Sequence, residues 1–355
     1  MSSPSLATGK APQSALGRGM VFGVVAGMLY GVYSSFLTLG MDVGHWVDWK
    51  AGLSAFTVVY VLASLGAALN DSLSALWALL IMAVRGKLPE LVQTLRSRAG
   101  AIVVAAAVIG GPIASTSYVV ALQTAGSIII PITALCPAFG AILGKVFLKQ
   151  PLTWLMGLGV SVCVAAGVLI GISNGVSEDS GSIGLGIAFA LIAALGWGIE
   201  GCLGGFVTAN TDPGVSIAIR QAVAGAVNLF LLLPLLCLIG GDVALAPKLA
   251  LAAFTSWPEI ALIAVSALAA YLSWALWYKG NALCGTALGM ACDATYSFWG
   301  PLACWVLLGI VIGQDGWNLP PVAWLGAVVM VGGIFVLAIG ARRATQPPIS
   351  IPKRA

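Results

Sequence analysis

Apolar residues fill this chain in long, nearly unbroken runs, and the runs are separated by brief polar or Gly/Pro-rich links. A helix needs roughly 20 mostly apolar residues to cross a bilayer. Ten runs approach that length: 19–40, 53–84, 99–122, 127–148, 152–172, 183–207, 215–239, 260–278, 283–312 and 322–340. The expected fold is therefore all-α, a polytopic membrane protein of ten transmembrane helices. The fourth run carries Pro131 and Pro137. Proline inside a spanning helix frees backbone carbonyls that only a neighbouring helix or a polar cavity can satisfy, so these two positions are expected helix breaks. The second run is too long to stand upright and must tilt, protrude or bend near Asn70 and Asp71.

Five runs precede the Gly/Ser/acidic link around Glu178 and Asp179, and five follow it. An odd number of spans per half makes the second half enter the membrane from the opposite side, which is an inverted repeat. Self-comparison supports the plan. Ala26, Tyr30, Gly31 and Val32 align with Ala193, Trp197, Gly198 and Ile199, and Ala121, Gly126 and Leu148 stand opposite Gly280, Gly285 and Leu307. The first half carries about eighteen extra residues around His45–Val61 (a gapped comparison of the halves). The expected organisation is a disordered cytoplasmic tail over residues 1–17, a first five-helix repeat over 18–174, a second over 182–341, and a cytoplasmic tail over 342–355.

Composition removes the soluble alternatives. Hydrophobic residues make up 60% of 355 and charged residues only 8%, too few to build a water-facing shell. The net charge of +4 matters through its placement. With a cytoplasmic N-terminus, almost every Lys and Arg falls on the cytoplasmic side, and only Lys50 and Lys248 lie outside. Both termini are thus expected in the cytoplasm, in a multi-pass inner (cell) membrane protein with an uncleaved first span. The basic clusters read as orientation signals, with no nucleic-acid partner expected. The seven cysteines lie in apolar runs without a CxxC pair and read as small buried hydrophobes; His45, the only histidine, reads as a solvated loop residue.

Several segments carry a resemblance: Tyr118 to Gly126, the Pro137 region, the hinge FLKQPLT from Phe147 to Thr153, the Gly159 and Gly167 spacing, and Arg220 with Gln221 opening the seventh run. With the ten-span plan, they make most of the chain resemble the drug/metabolite transporter superfamily, in particular its EamA-like bacterial permeases. That resemblance implies a secondary transporter working by alternating access. The chain departs from the family's pattern at Lys149 and Gln150, where a glutamate is frequent, and near Asp71, where an arginine is frequent.

An ionised carboxylate at the bilayer centre costs roughly 2.5–3.5 kcal/mol on insertion scales, so acids there call for a reason. Glu200, Asp293 and Asp71 qualify, as candidates for coupling or cation recognition, with Glu200 first; pairing with Arg220 or Lys279 is the structural alternative. Trp197 shares a helix face with Glu200, Asp293 forms a stripe with Tyr296 and Trp299, and Tyr271, Trp274 and Tyr278 form another. Tyr30, Tyr33, Tyr118, Trp197, Trp274 and Tyr296 are the expected cavity walls. Aromatic faces beside carboxylates suit organic cations and also stack on sugars or other metabolites. Ser182 with Gly186, and Gly201 with Gly205, read as helix-packing pairs.

No Walker loop and no HExxH is present. GxSxG at Gly171–Ser173–Gly175 and GxGxxG at Gly196–Gly198–Gly201 both lack the strand that their chemistry needs. The reading is a permease and not an enzyme, with no metal and no cofactor, moving a small organic solute and possibly using protons. The alternatives are a membrane-embedded enzyme acting on a lipid-linked substrate and a noncatalytic membrane partner subunit.

Overall fold

The computed structural model describes residues 13–148, 152–172, 180–208, 211–284 and 286–344. Every regular element among them is helical. Among the described residues eight helices are long and apolar enough to cross a membrane: Ser14–Gly40, Thr57–Val84, Arg98–Thr133, Ile183–Leu203, Pro213–Ile239, Glu259–Cys284, Leu288–Val311 and Pro321–Ala341. The chain is therefore a polytopic α-helical membrane protein. A shorter apolar helix covers Trp154–Ile170.

In chain order the helices are α1 (Gln13–Gly40), α2 (His45–Gly52), α3 (Thr57–Val84), α4 (Leu88–Leu95), α5 (98–125), α6 (Ile129–Thr133), α7 (Cys136–Leu148) and α8 (Trp154–Ile172). They continue as α9 (Ser180–Thr208), α10 (Pro213–Ile239), α11 (Leu245–Thr255), α12 (Glu259–Cys284), α13 (Thr286–Asp293), α14 (296–311) and α15 (Pro321–Ala344). Long-range packing joins the two halves of the chain. α1 lies against α12, α13 and α14, α9 against α5, α6 and α7, α3 against α10, and α8 against α15.

Glycines set the closest approaches. Gly19, Gly23, Gly27 and Gly31 recur every four residues along α1, and a Cβ on Gly27 would come within 2.6 Å of the Asp293 carbonyl oxygen, and one on Gly31 within 2.7 Å of that of Trp299. Small residues at this spacing let two helix backbones meet, the usual way apolar helices associate where lipid gives no hydrophobic drive. Gly186 acts similarly on α9, against Ala125 and the Ala121 carbonyl, whereas Gly201 meets only the end of the Met290 side chain.

Regular helix is interrupted where the sequence demands it. Pro112 sits within a π-helical stretch, Ile109–Ser115, because proline has no N–H and crowds the preceding turn. The expected break in the fourth run is a turn at 134–135, between α6 with Pro131 and α7 with Pro137 near its start. The ninth run breaks likewise at 294–295, between α13 and α14. Of the tilt, protrusion or bend near Asn70 and Asp71 open to the second run, the bend is absent: Ala63–Val84 is continuous, and a π stretch at Thr57–Leu62 leads into it. His45 is not a free loop residue either. It opens α2, and its backbone N–H donates to Glu259 Oε1 at 3.0 Å, the same oxygen that lies 3.0 Å from its Nδ1. The hinge residues Lys149 and Gln150 and the acids Glu178 and Asp179 lie outside the described residues.

One polar contact outside the spans ties α4 to the start of α10. Asp212 caps α10 through its Oδ1, which accepts from the N–H groups of Gly214 and Val215, and Lys87 Nζ donates to its Oδ2 at 2.6 Å. Partial burial works against the Asp212 charge, but the Lys87 bond and the two backbone donors outweigh it and hold the carboxyl below its usual range. The hydrogen bond to Asp212 raises Lys87 correspondingly.

Candidate functional site

Several of the polar residues buried in the bundle gather in two neighbouring centres, an ion cluster and an aromatic cavity, with the indoles of Trp197 and Trp274 between them.

The ion cluster is built on Arg220 of α10. Its Nε donates to Glu200 Oε1 at 3.0 Å, its Nη2 to Glu200 Oε2 at 3.3 Å and to the Gly110 carbonyl at 3.0 Å, and its Nη1 to Gln221 Oε1. Asp71 Oδ1 stands 4.0 Å from Nη1, and Asp71 Oδ2 accepts from Asn228 Nδ2 at 2.8 Å. Asn228 in turn accepts from Thr116, and Gln221 donates to Ser74. The guanidinium lies 4.0 Å from the Trp274 ring centroid, a cation–π contact. Glu200, Arg220 and Asp71 are all buried. A buried charge needs partners at every polar atom, and here almost every one is met.

The π stretch of α5 explains part of this. It leaves the Gly110 carbonyl to accept side-chain donors: Arg220 Nη2, Trp197 Nε1 at 3.1 Å and Ser115 Oγ at 2.9 Å. Any side chain at Gly110 would run into the Glu200 carboxylate. The backbone irregularity and the ion pair therefore depend on one another.

The aromatic cavity lies beside this cluster. It is narrow, with about 20 Å³ of open space, and is lined by Tyr30 from α1, Cys136 from α7, Trp197 from α9, Ser273, Trp274 and Trp277 from α12, Asp293 from α13 and Tyr296 from α14. Tyr30 stacks on Tyr296 with ring centroids 4.3 Å apart, Trp197 meets Tyr30 edge-on at 6.0 Å, and Trp274 lies 6.1 Å from Trp197 and 5.2 Å from Trp277. Asp293 ends α13 immediately before the break at 294–295. No hydrogen bond or ion pair among the described residues reaches its carboxylate. The buried polar atoms Tyr30 Oη and Trp277 Nε1 also lack a hydrogen-bond partner.

Of the residues expected from sequence, Tyr30, Trp197, Trp274, Tyr296 and Asp293 meet at this cavity. Tyr33 and Tyr118 form a ring behind Tyr30, at 5.2 and 5.4 Å, and the Tyr118 hydroxyl is held by Ser34. Glu200 and Asp71 are in the ion cluster instead. Glu200 does not point at lipid; it takes the pairing with Arg220 that was its structural alternative. Pro131 and Pro137 flank the break whose far side brings Cys136 to the cavity. Within the stripe Tyr271–Trp274–Tyr278, Trp274 and Tyr278 both face the ion cluster, the Trp274 ring under Arg220 and the Tyr278 hydroxyl donating to Glu200 at 3.5 Å, while Trp277 joins Trp274 at the cavity. Trp299 is likewise not a cavity residue, since the break at 294–295 ends the helical spacing that linked it to Asp293.

Ser273, Trp277 and Cys136, and the central position of Arg220, were not expected. For Trp277 the only signal was its i+3 spacing from Trp274. For the Gly110 carbonyl it was the Gly110–Gly111–Pro112 run in the middle of an apolar span.

No protein-family model and no curated protein matches the chain. It is similar to a solved structure titled "Crystal structure of protein", at 17% identity and a TM-score of 0.53, over 95% of this chain and 100% of the other. At that identity the two share a fold and nothing finer follows.

Proposed function

We propose that the chain is a secondary transporter of the drug/metabolite transporter type, with ten membrane-crossing helices in two inverted five-helix repeats, moving a small organic solute by alternating access. The observation that carries this reading is the cavity inside the bundle, walled by helices from both halves and containing a carboxylate without a hydrogen-bond or ionic partner among the described residues. A carboxylate left unpaired inside a membrane protein marks a pathway or a binding site by default.

The helix pairing supports the repeat. In a 5+5 inverted repeat, exchanging each span for its counterpart must reproduce the set of contacts. The pairing of α1 with α12 (first span with eighth) has its counterpart in α9 with α5 (sixth with third), and α1 with α14 in α9 with α7. The pairs α3–α10, α8–α15 and α6–α14 map onto themselves. The breaks at 134–135 and 294–295 fall in the corresponding fourth and ninth spans, and broken helices at a repeat interface are typical of transporter binding sites. The distribution of Lys and Arg favours an inner (cell) membrane location with both termini in the cytoplasm.

Proton coupling, where it operates, belongs to Asp71 before Glu200. Glu200 occupies two guanidinium nitrogens of Arg220, whereas Asp71 stands at 4.0 Å from a third and can gain or lose a proton while Arg220 stays paired. Asp71 also joins α3 to α10 through Asn228, so its charge bears on how those helices pack.

The test is reconstitution. Proteoliposomes incubated with a mixture of metabolites and read by mass spectrometry should accumulate at least one solute faster than protein-free liposomes, and Ser273→Trp, which fills the cavity, should remove that flux. Absence of any protein-dependent solute flux would overturn the proposal.

A further inference from the structure

We infer that the cavity's ligand is a small organic ammonium cation, with Asp293 as its counter-ion and the rings of Tyr30, Trp197, Trp274, Trp277 and Tyr296 around its methylene or methyl groups. This rests on the transporter reading and gives it a substrate class. Four observations favour a cation over the other solutes that aromatic walls accept.

The first is the charge left over. Arg220, the one buried guanidinium near the cavity among the described residues, already serves Glu200, Gln221, the Gly110 carbonyl and the Trp274 face, so it presents nothing to an anion. Asp293 is the acidic group in the cavity lining, and no ionic partner meets it among the described residues, so a cation beside it would hold its carboxyl ionised. An anionic ligand would find no free cation to pair with, which is strongly unfavourable away from water.

The second is the wall chemistry. Five of the eight lining residues are Tyr or Trp, whose ring faces are negative and attract ammonium groups by about 0.5–2 kcal/mol each, most strongly when desolvated. The third is the shortage of hydrogen-bonding groups. The Ser273 hydroxyl donates to the Ala26 carbonyl at 2.8 Å, and little remains for a sugar's ring of hydroxyls beyond Asp293, Tyr30 and Trp277. A polyol buried here would leave most of its hydroxyls unsatisfied.

The fourth is the pair of unpartnered polar atoms. Tyr30 Oη can accept from an ammonium N–H, and the Trp277 indole N–H needs an acceptor such as a hydroxyl on the ligand's tail. An amino alcohol or a quaternary ammonium alcohol supplies a cation at one end and an acceptor at the other. In this conformation the open space between the rings is about 20 Å³, room for about one water, so a cation enters only as the walls part, and small ammonium ions require the least displacement.

The experiment is a binding measurement on the purified full-length chain in detergent, by isothermal calorimetry and thermal shift. Choline and ethanolamine are the cationic probes, 3,3-dimethylbutan-1-ol is the neutral analogue of choline with the same shape, and glucose is the polyol control. Expected is saturable binding of at least one ammonium probe, with none of 3,3-dimethylbutan-1-ol at the same concentration. Asp293→Asn should weaken the cation at least about 30-fold, from the cost of removing one side of a buried charge pair, and Trp277→Ala about 2- to 30-fold. Asp293→Asn keeps the side chain's shape, and a far-UV spectrum and gel-filtration profile matching wild type establish that it folds. Equal binding of choline and its neutral analogue, or no binding of either cation, overturns the cation assignment. If glucose or another neutral solute binds and crosses proteoliposomes in a Ser273→Trp-sensitive manner, the assignment fails while the transporter reading stands. Absence of any protein-dependent flux overturns both.

Discussion

Replacing Glu200 by Gln separates a structural role from a coupling role, because the substitution keeps the side chain's shape and removes its charge. The salt bridge closes at 3.0 and 3.3 Å with all members buried. At an effective dielectric constant of 20, unit charges 3 Å apart attract by about 5–6 kcal/mol. Two effects reduce the loss. The amide oxygen of Gln still accepts from the guanidinium, worth about 1.5–3 kcal/mol for a bond to a charged group, and one carboxylate no longer has to be desolvated. Asp71, 4.0 Å from Nη1, remains as counter-charge. The net cost should sit near the lower end of the range for breaking a buried pair, about 3 kcal/mol. Asp71→Asn added to Glu200→Gln strips the last negative partner from Arg220, so the double variant should be worse than the sum of the single ones by about 1–3 kcal/mol. The assay is unfolding of the purified protein by SDS titration in mixed micelles, alongside the pH profile of solute uptake. A Glu200→Gln protein as stable as wild type but with uptake that no longer responds to pH would refute the reasoning and return Glu200 to the coupling role.

Other outcomes follow from the same geometry. Gly110→Ala should destabilise by about 1–3 kcal/mol or prevent folding, because its methyl meets the Glu200 carboxylate; yield and SDS-titration midpoint measure it. Gly27→Ala should push α1 away from the Asp293 carbonyl, 2.6 Å from the new Cβ, and weaken ligand binding in the assay used for Asp293→Asn while leaving helicity unchanged. Asp212→Ala should cost about 1–2 kcal/mol through the lost helix cap and a partly exposed ion pair. Because Asp212 is held below its ordinary range, its contribution is complete above the unfolded value near 3.9 and is lost as pH falls through the folded value; wild type should lose this margin on acidification, and Asp212→Ala should not. The Lys87 contribution has the opposite sense: it is complete below the unfolded value near 10.4 and lost as pH rises through the raised folded one.

The sequence made the helices legible and the side-chain partners much less so. Runs such as 19–40 and 322–340 announce spanning helices by length and apolarity alone, and the structure places helices over both. Pro131 and Pro137 foretold a break, because a missing N–H is a local property. The break at 294–295 has no proline beside it and was invisible, so the face shared by Asp293, Tyr296 and Trp299 was drawn one turn too far. On α12, which is apolar nearly all round, the spacing found Trp274 and Tyr278 but not Trp277: Tyr278 and Trp277 are neighbours in sequence, yet one serves the ion cluster and the other the cavity. The π stretches at 109–115 and 228–232 compound this, since each shifts the register that i, i+3 and i, i+4 reasoning assumes. The pairing of Glu200 with Arg220 joins separate helices, and only their packing reveals that the most suspicious acid is the best satisfied.

Whether the Asp293 cavity is a solute pathway can be read by thiol accessibility. In a background with the seven native cysteines replaced, Ser273→Cys puts one thiol at the cavity wall. Oriented vesicles are treated with a membrane-impermeant maleimide from each side in turn, with and without bound solute. Alternating access requires labelling from both sides, with solute changing the ratio of the two rates. A thiol that reacts from neither side, or from one side only regardless of solute, would contradict it.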